Sequence, residues 1–396
     1  MFCANGLLFA SWTAHIPQFK AHLDLTDGTL GLALLGAPAG SVSAMILSAR
    51  LLARFGSRRM VQAALLGYCA AGPLVGLTGS LLALFAALYA WGAFQGALDV
   101  SMNTQAIAVE QARGRPLMPG LHGWWSIGAF AGAGLGAAGV AIGLSLTSQL
   151  LLLGVPALVV AGRLSRWMIP DVGWPAEQNG GQRAGQRKGQ RAPRRFTRRT
   201  GQRPPRRFTR PVLMLGAIAF ASMLCEGASA DWAAVYLRGP LHTSAAVAGL
   251  GYAAFSLAML IVRMSGNRLL ARFPVRVVSP VLAAIAAVGF TAGLLDTHAG
   301  TAIAGFGCLG IGMALVIPAV FSAAGRLPGI SPGSAIVTVS AFGWTGFVCG
   351  PPLIGALASA TSLSAALGLL PALTTFIAVA AALAPALRSG PPGIQP

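Results

Sequence analysis

Three polar side chains recur at a helical spacing inside an otherwise apolar stretch of the chain. Gln95, Asp99 and Asn103 are each four residues apart, so they form one polar stripe on a predicted helix. An apolar environment disfavours the charged form of a carboxyl group, which makes Asp99 suited to reversible protonation. The alternative is a carboxylate satisfied by hydrogen bonds between helices. We favour the functional interpretation.

Two further carboxylates, Glu226 and Asp231, lie in a second apolar stretch. Glu226 falls near the middle of the predicted helix, and we expect it to face a polar cavity. Asp231 lies nearer the end of that helix, beside Trp232, and we expect it at an interface with water. Carboxylates on two separate helices suit the coupling of solute movement to protons.

A histidine near the start of another predicted helix is a candidate proton relay. His122 and Ser126 are one helical turn apart, beside Trp124 and Trp125. A hydrogen bond at the helix end is an equal alternative for the histidine. The tryptophans either line a cavity and stack on a sugar-like solute or anchor the helix at the membrane interface, which we favour. Weaker candidates for the same cavity are Asn5, His15 and Gln105.

The composition indicates the elements that must position these residues. The 396 residues are 55% hydrophobic and 9% charged, whereas about a quarter of an ordinary soluble domain is charged. Apolar segments of about 18 residues or more recur along the chain, long enough to cross a bilayer as helices. We therefore predict an all-α membrane protein. The twelve predicted helices span 1 to 19, 28 to 48, 61 to 79, 82 to 106, 120 to 142, 147 to 168, 211 to 236, 244 to 264, 276 to 295, 300 to 322, 333 to 358 and 363 to 386.

The basic residues predict the orientation. All but two of the 28 Lys and Arg residues fall on one side of the predicted membrane, with Arg263 counted among them at the end of the eighth helix. The exceptions are Lys20 and Arg238. Because cytoplasmic loops are enriched in Lys and Arg, we predict that both termini and the long central loop lie in the cytoplasm. The apolar run starts at once, so we expect either a start upstream of Met1 or a short first helix.

The chain contains an internal repeat with an offset of about 218 residues. The hexapeptide Arg50 to Phe55 returns unchanged at 268 to 273, Gly31 matches Gly249, and Gly128 matches Gly346. Several matches in the same order indicate a tandem duplication of a six-helix unit. We predict an N-terminal bundle over 1 to 168, a basic linker over 169 to 210 and a C-terminal bundle over 211 to 396.

The loop after the second predicted helix resembles the loop motif of the major facilitator superfamily (MFS), which reads roughly G-x-x-x-D-R-x-G-R-R. The matching residues are Arg54, Gly56, Arg58 and Arg59, with Arg272 in the second copy, and the resemblance implies a role in gating. Ala49 and Ala53 stand where the motif has its glycine and its aspartate. The run from 96 to 106 resembles the MosC/YbjJ-like branch of that superfamily. The resemblance implies the MFS fold of two parallel six-helix bundles, a location in the bacterial inner membrane and transport by alternating access.

We expect a secondary transporter of a small polar, sugar-like solute. We also expect it to be coupled to protons, because carboxylates on two helices suit such coupling. The alternatives are a drug or metabolite antiporter, which the glycines and prolines of 346 to 352 weakly suggest, and a non-transporting sensor or scaffold. No catalytic nucleophile, metal cluster or phosphate loop is evident, so we expect no enzyme, no cofactor, no metal site and no nucleic-acid partner. The expected partners are the solute, protons and the lipid bilayer, and we expect a monomer.

The basic linker is rich in Gly, Pro, Gln and Arg and repeats itself within a few residues. One interpretation is contact with anionic lipid headgroups or nucleic acid through the arginines. We favour a linker that reinforces the topology, because its composition cannot form a packed core.

The orientation can be checked with reporters that are active on only one side of the membrane. A reporter fused near residue 190 should be active in the cytoplasm. A reporter inserted after Thr297, between the ninth and tenth predicted helices, should be active on the outer side. The opposite pattern would refute the predicted orientation.

Overall fold

The computed structural model describes residues 1 to 114, 117 to 169, 209 to 384 and Leu387. Within these ranges the chain is helical and contains no strand, and all twelve predicted spans are present. Four of them consist of two helical segments each. The spans are α1 (Phe2–Thr13, Ile16–His22), α2 (Asp27–Leu34, Gly36–Phe55), α3 (Ser57–Val75), α4 (Leu81–Arg113), α5 (Met118–Ala141), α6 (Leu146–Leu164), α7 (Arg210–Arg238), α8 (Ala245–Arg272), α9 (Val275–Leu295), α10 (Ala299–Met313, Val316–Ala324), α11 (Pro332–Ala360) and α12 (Leu363–Leu367, Leu369–Leu383).

The predicted helices are confirmed, and three of them are longer than expected. They run on to Phe55, Arg113 and Arg272, instead of 48, 106 and 264. Hydropathy falls at the first charged residues, but Arg, Gln, Glu and Ala are good helix formers and continue the helix beyond the apolar part. By length and composition alone, nine helices of the described ranges could cross a membrane. The predicted linker lies almost wholly outside the described residues, and the predicted domain limits stay predictions.

The four interrupted spans each carry a proline near the break, at Pro17, Pro38, Pro318 and Pro371. Proline has no backbone N–H, so the carbonyl four residues earlier loses its helical partner. In α10 the affected carbonyl is that of Ala314, which follows the first segment directly. This carbonyl is therefore available to a side chain.

Apolar side chains cover much of the outer surface. Ile46, Ile142 and Leu295 are each more than three-quarters exposed, at 76%, 80% and 81%. Large exposed apolar areas are unfavourable in water and are expected where helices face lipid. The interior holds fully buried aromatic side chains such as Trp232, Phe290 and Phe306.

The duplication seen in the sequence is repeated in the backbone. Asp24 and His242, 218 residues apart, are the two non-glycine residues with positive φ in the described ranges, at 49° and 50°. Each precedes a capped helix. The side chain of Thr26 accepts the backbone N–H of Thr29 at the start of α2, and Ser244 caps α8 in the same way.

The repeated glycines produce the same helix packing in each half. A Cβ atom at Gly128 would lie 2.1 Å from the carbonyl oxygen of Cys3, and one at Gly346 would lie 2.2 Å from that of Phe220. Because only glycine permits so close an approach, α5 packs directly on α1, and α11 packs on α7. Gly346, in the glycine- and proline-rich stretch from 346 to 352, thus serves close packing.

The two halves meet closely at the end that we predict to face outward. The backbone N–H of Gly28 donates to Ser359 Oγ at 2.8 Å, and a Cβ at Gly31 would lie 2.5 Å from the carbonyl oxygen of Pro351. The repeat-related Gly249 would place a Cβ 2.6 Å from the Cβ of Ala137. These paired contacts, α2 on α11 and α8 on α5, close this end of the molecule.

Larger side chains at this seal should bias the molecule toward an outward-open form. Replacing Gly31 or Gly249 with Leu should disfavour the closed outer end by about 1–3 kcal/mol, or roughly 5- to 150-fold in population. Spin labels at the exposed positions His22 and Thr297 should then report longer distances. Gly300→Leu is the control, because a Cβ there would meet nothing within 4 Å. Unchanged distances in both seal variants would contradict this description of the outer end.

Candidate functional site

A cavity of about 260 Å³ lies between the two halves and is lined by residues from both. Its wall combines ionisable or amide side chains with aromatic rings. The first group comprises Asn5, Gln95, Asp99, His122, Glu226, Asp231 and Arg263. The aromatic group comprises Phe9, Trp12, Trp91, Trp125, Tyr252, Trp344 and Phe347.

Most of the polar residues chosen from the sequence meet in this cavity. Gln95 and Asp99 reach it from α4, His122 from α5 and Glu226 from α7. Gln95 Nε2 lies 3.5 Å from Asn5 Oδ1, a long hydrogen bond that joins α4 to α1. The structure therefore gathers side chains that are more than 200 residues apart in the chain into one wall.

Asn103 does not line the cavity, contrary to the prediction of a continuous polar stripe. Its Nδ2 atom donates to the backbone oxygen of Asp99 at 2.8 Å and to Asp99 Oδ1 at 3.2 Å. Eight residues of an α-helix turn through about 80° more than two full revolutions, so the stripe drifts away from the cavity. Asn103 instead orients the carboxylate one turn before it.

Two residues predicted at the membrane interface line the cavity instead. Asp231 faces it from α7, and Trp125 faces it from α5, whereas the neighbouring Trp124 is 55% exposed. Interface and cavity positions carry the same residue types, and only the rotation of each helix within the bundle distinguishes them. Asp231 therefore joins the candidate site.

Two weaker candidates are used elsewhere. His15 is fully buried, with its ring nitrogens 2.8 Å from Gln18 Oε1 and 3.0 Å from Gln149 Oε1. Gln105 donates to Ser57 Oγ at 2.7 Å and to the carbonyl oxygen of Ile169. Neither lines the cavity, so both have structural roles, whereas Asn5 does line it.

The residues of the predicted gating motif lie at the helix ends, away from the cavity. Gly56 joins α2 to α3 with φ at 78°, a conformation that glycine adopts without strain. Arg54, Arg59 and Arg272 are exposed, and the Arg54 guanidinium lies over the ring of Phe55. Arg58 is half-buried. A gating role for these residues stays a prediction.

Arg263 is the site residue that sequence reasoning missed. The charge count placed it with the cytoplasmic loops, but it lies within α8 and lines the cavity. Its Nη1 donates to Ser126 Oγ of α5 at 3.2 Å, and its Nε donates to the Ala314 carbonyl oxygen at 3.3 Å. That carbonyl is the one that Pro318 leaves without a helical partner. The signal in the sequence was the spacing of Tyr252, Ser256 and Arg263 along one face of a helix.

The aromatic wall is held in place by contacts with other aromatic rings, within the wall and behind it. Trp91 stacks on Tyr68 with ring centroids 5.2 Å apart, and its indole N–H donates to the Tyr68 carbonyl oxygen at 3.1 Å. Trp12 lies edge-on to Trp91, at 6.5 Å between centroids. Fixed aromatic faces beside hydrogen-bonding groups suit a ligand that has both a ring and polar substituents.

The charged groups of the cavity are not paired with one another. Within the described ranges, ion pairs join Lys20 to Asp27 and His298 to Asp296, and both are outside the cavity. The described residues also contain no group of His, Cys, Asp and Glu side chains that could hold a metal ion. Asp99, Glu226, Asp231 and Arg263 are therefore free to interact with a solute, with water or with one another.

Solved structures share this fold at low sequence identity. A D-xylose–proton symporter superposes with a TM-score of 0.72 at 14% identity, covering 98% of this chain and 97% of that one. The nucleoside transporter NupG superposes with a TM-score of 0.69 at 12% identity, covering 96% of each chain.

The sequence itself has relatives along almost its whole length. An uncharacterized MFS-type transporter of Yersinia pestis is 31% identical over 383 residues, 96% of this chain and 93% of that protein. The membrane protein MosC of Rhizobium meliloti is 33% identical over 395 residues, 99% of this chain and 90% of that protein. No protein-family model matches the chain. Identity at this level over nearly the full length of both proteins establishes the family, and the chain belongs to the major facilitator superfamily of transporters.

Proposed function

We propose that this protein moves a small polar, sugar-like solute across the bacterial inner membrane by alternating access, coupled to protons. The observation that carries the proposal is the cavity between the halves, where Gln95, Asp99, His122 and Glu226 meet an aromatic wall. We further propose that the protein acts as a monomer with both termini in the cytoplasm.

The size of the cavity supports a small solute. Its volume of about 260 Å³ is close to the lower end of the range for small-molecule sites, roughly 300–1,000 Å³. Amide and carboxyl groups can bind several hydroxyls, and aromatic faces can stack on the apolar face of a ring. The fold neighbours include a symporter of D-xylose and a transporter of nucleosides, which adds support at the level of fold analogy only.

The position of the carboxyl groups supports coupling to protons. Asp99 belongs to the N-terminal half and Glu226 to the C-terminal half, and both face the cavity. Protonation of either group removes a negative charge from a cavity that low-dielectric helices surround. Such a change can alter the relative stability of the inward-open and outward-open states.

Ligand binding can be tested first by thermal stability. The purified protein should melt at a higher temperature with a sugar, a cyclitol or a nucleoside than with a lipophilic cation, because a ligand that binds only the folded state stabilises it by about 2.7 kcal/mol at 100 times its Kd. The shift should shrink in Asp99→Asn and Glu226→Gln and persist in Asp296→Asn, an outer-loop control. Stabilisation by the lipophilic cation alone would favour a drug transporter.

Coupling can then be measured in proteoliposomes with the solute that gives the shift. An inward proton gradient of about one pH unit should raise accumulation about tenfold for each coupled proton, and a protonophore should abolish the increase. Glu226→Gln and Asp99→Asn should lose this accumulation. Uptake that neither the protonophore nor both variants alter would contradict proton coupling.

A further inference from the structure

A second, much smaller pocket lies beside the main cavity, where α5, α7 and α8 meet. Its volume of about 10 Å³ is close to the minimum for a single water molecule. The polar groups that line it are Ser126, Glu226, Tyr252 and Ser256. Glu226 lines both this pocket and the main cavity, and Ser126 is the residue that accepts the hydrogen bond of Arg263.

Among the described residues, the groups that accept hydrogen bonds from the Arg263 guanidinium are neutral. Ser126 Oγ belongs to the N-terminal half, and the Ala314 carbonyl belongs to the C-terminal half. Within the described residues, no carboxylate lies within 4 Å of this guanidinium. Arg remains charged at any physiological pH, so this is an uncompensated positive charge beside a cavity that contains three carboxyl groups.

Glu226 and Arg263 face the same cavity from consecutive helices. Helices α7 and α8 are consecutive and antiparallel, and Glu226 and Arg263 are twelve and eighteen residues from the ends at which the two helices are joined. At about 1.5 Å per residue, the two positions differ by roughly 9 Å along the bundle. Glu226 and Arg263 both line the main cavity, together with Tyr252 of α8.

We propose that Arg263 is the positioning residue that converts the protonation of Glu226 into a contact between the two halves. While Glu226 is protonated, Arg263 donates to Ser126 and ties α8 to α5. When the Glu226 carboxyl group releases its proton to water in the cavity, the resulting carboxylate attracts Arg263 away from Ser126 and the tie is released. This inference rests on the proposed coupling to protons and names the residue that transmits it.

The physical basis is a competition between two acceptors of different charge. A hydrogen bond from guanidinium to carboxylate is about twice as strong as one to a neutral acceptor, and a nearby guanidinium in turn favours the charged form of the carboxyl group. The remaining titratable or charged groups that face this region are Asp99, His122, Asp231 and Tyr252. His122 is on α5 and Tyr252 is on α8, but the hydrogen bond that joins these two helices across the halves comes from Arg263.

The test is a measurement of distance between the halves as a function of pH, and it needs no solute. Spin labels are placed at Gln111 and Ser331, exposed residues at the cytoplasmic ends of α4 and α11, in the full chain with its native cysteines replaced. We expect two distance populations whose ratio changes with pH. Ser126→Ala should lower the midpoint of this change by about 0.5 to 1 pH unit, because it weakens the neutral site of Arg263.

Three further variants separate this mechanism from a merely structural role. Glu226→Gln should hold the low-pH population at every pH, Arg263→Gln should remove the pH dependence, and Arg263→Lys should keep it with a shifted midpoint. Ser222→Ala is the matched control, since Ser222 is a buried serine on α7 that lines neither pocket. Its midpoint should be that of the parent chain.

The outcomes distinguish this inference from the proposed function. If Glu226→Gln removes the pH dependence but Arg263→Gln and Ser126→Ala leave the parent midpoint, Arg263 does not transmit the signal, and proton coupling through Glu226 still stands. If the parent chain shows no pH dependence, the role of Arg263 is refuted. In that case proton-driven uptake in proteoliposomes decides separately whether the transporter is coupled to protons.

Discussion

Every backbone polar group that crosses the hydrocarbon must find a partner within the protein, and the rest of this structure depends on that constraint. It requires helices throughout the spans, and it makes each exception available for another interaction. The break in α10 is such an exception. Pro318 leaves the Ala314 carbonyl without its helical N–H, and the guanidinium of Arg263 donates to that oxygen. A charged side chain is thus anchored within the bundle by a defect in a neighbouring helix.

Close packing at small residues stabilises the association of helices in the membrane, as burial of apolar surface does in water. Lipid is as apolar as leucine, so helices associate through tight contact and not through the hydrophobic effect. The duplicated glycines at 128 and 346 bring α5 onto α1 and α11 onto α7 in equivalent ways. Gly31 and Gly249 repeat the principle between the halves. One duplicated glycine contact therefore packs the helices within each half, and a second one closes the two halves on each other at one end.

The charged side chains that face the cavity are not paired with one another. Ion pairs in the described ranges lie outside it, while Asp99, Glu226, Asp231 and Arg263 face it without pairing with one another. Unpaired charges in a low-dielectric space are costly unless they can be neutralised, bind water or bind a ligand. A transporter gains from this arrangement, because a proton or a solute can then change the balance between its two states.

The sequence by itself determined the twelve helices, the duplication and the family resemblance, because hydropathy and repeats are properties of contiguous residues. It also supplied Asp99 and Glu226, since carboxylates are conspicuous in apolar segments. Only the tertiary structure decided which side chains face the cavity. That choice depends on the rotation of each helix within the bundle, which excluded Asn103 and admitted Asp231 and Trp125. It also depends on helix length, because α8 continues past Arg263 and makes a residue expected at the helix end part of the site.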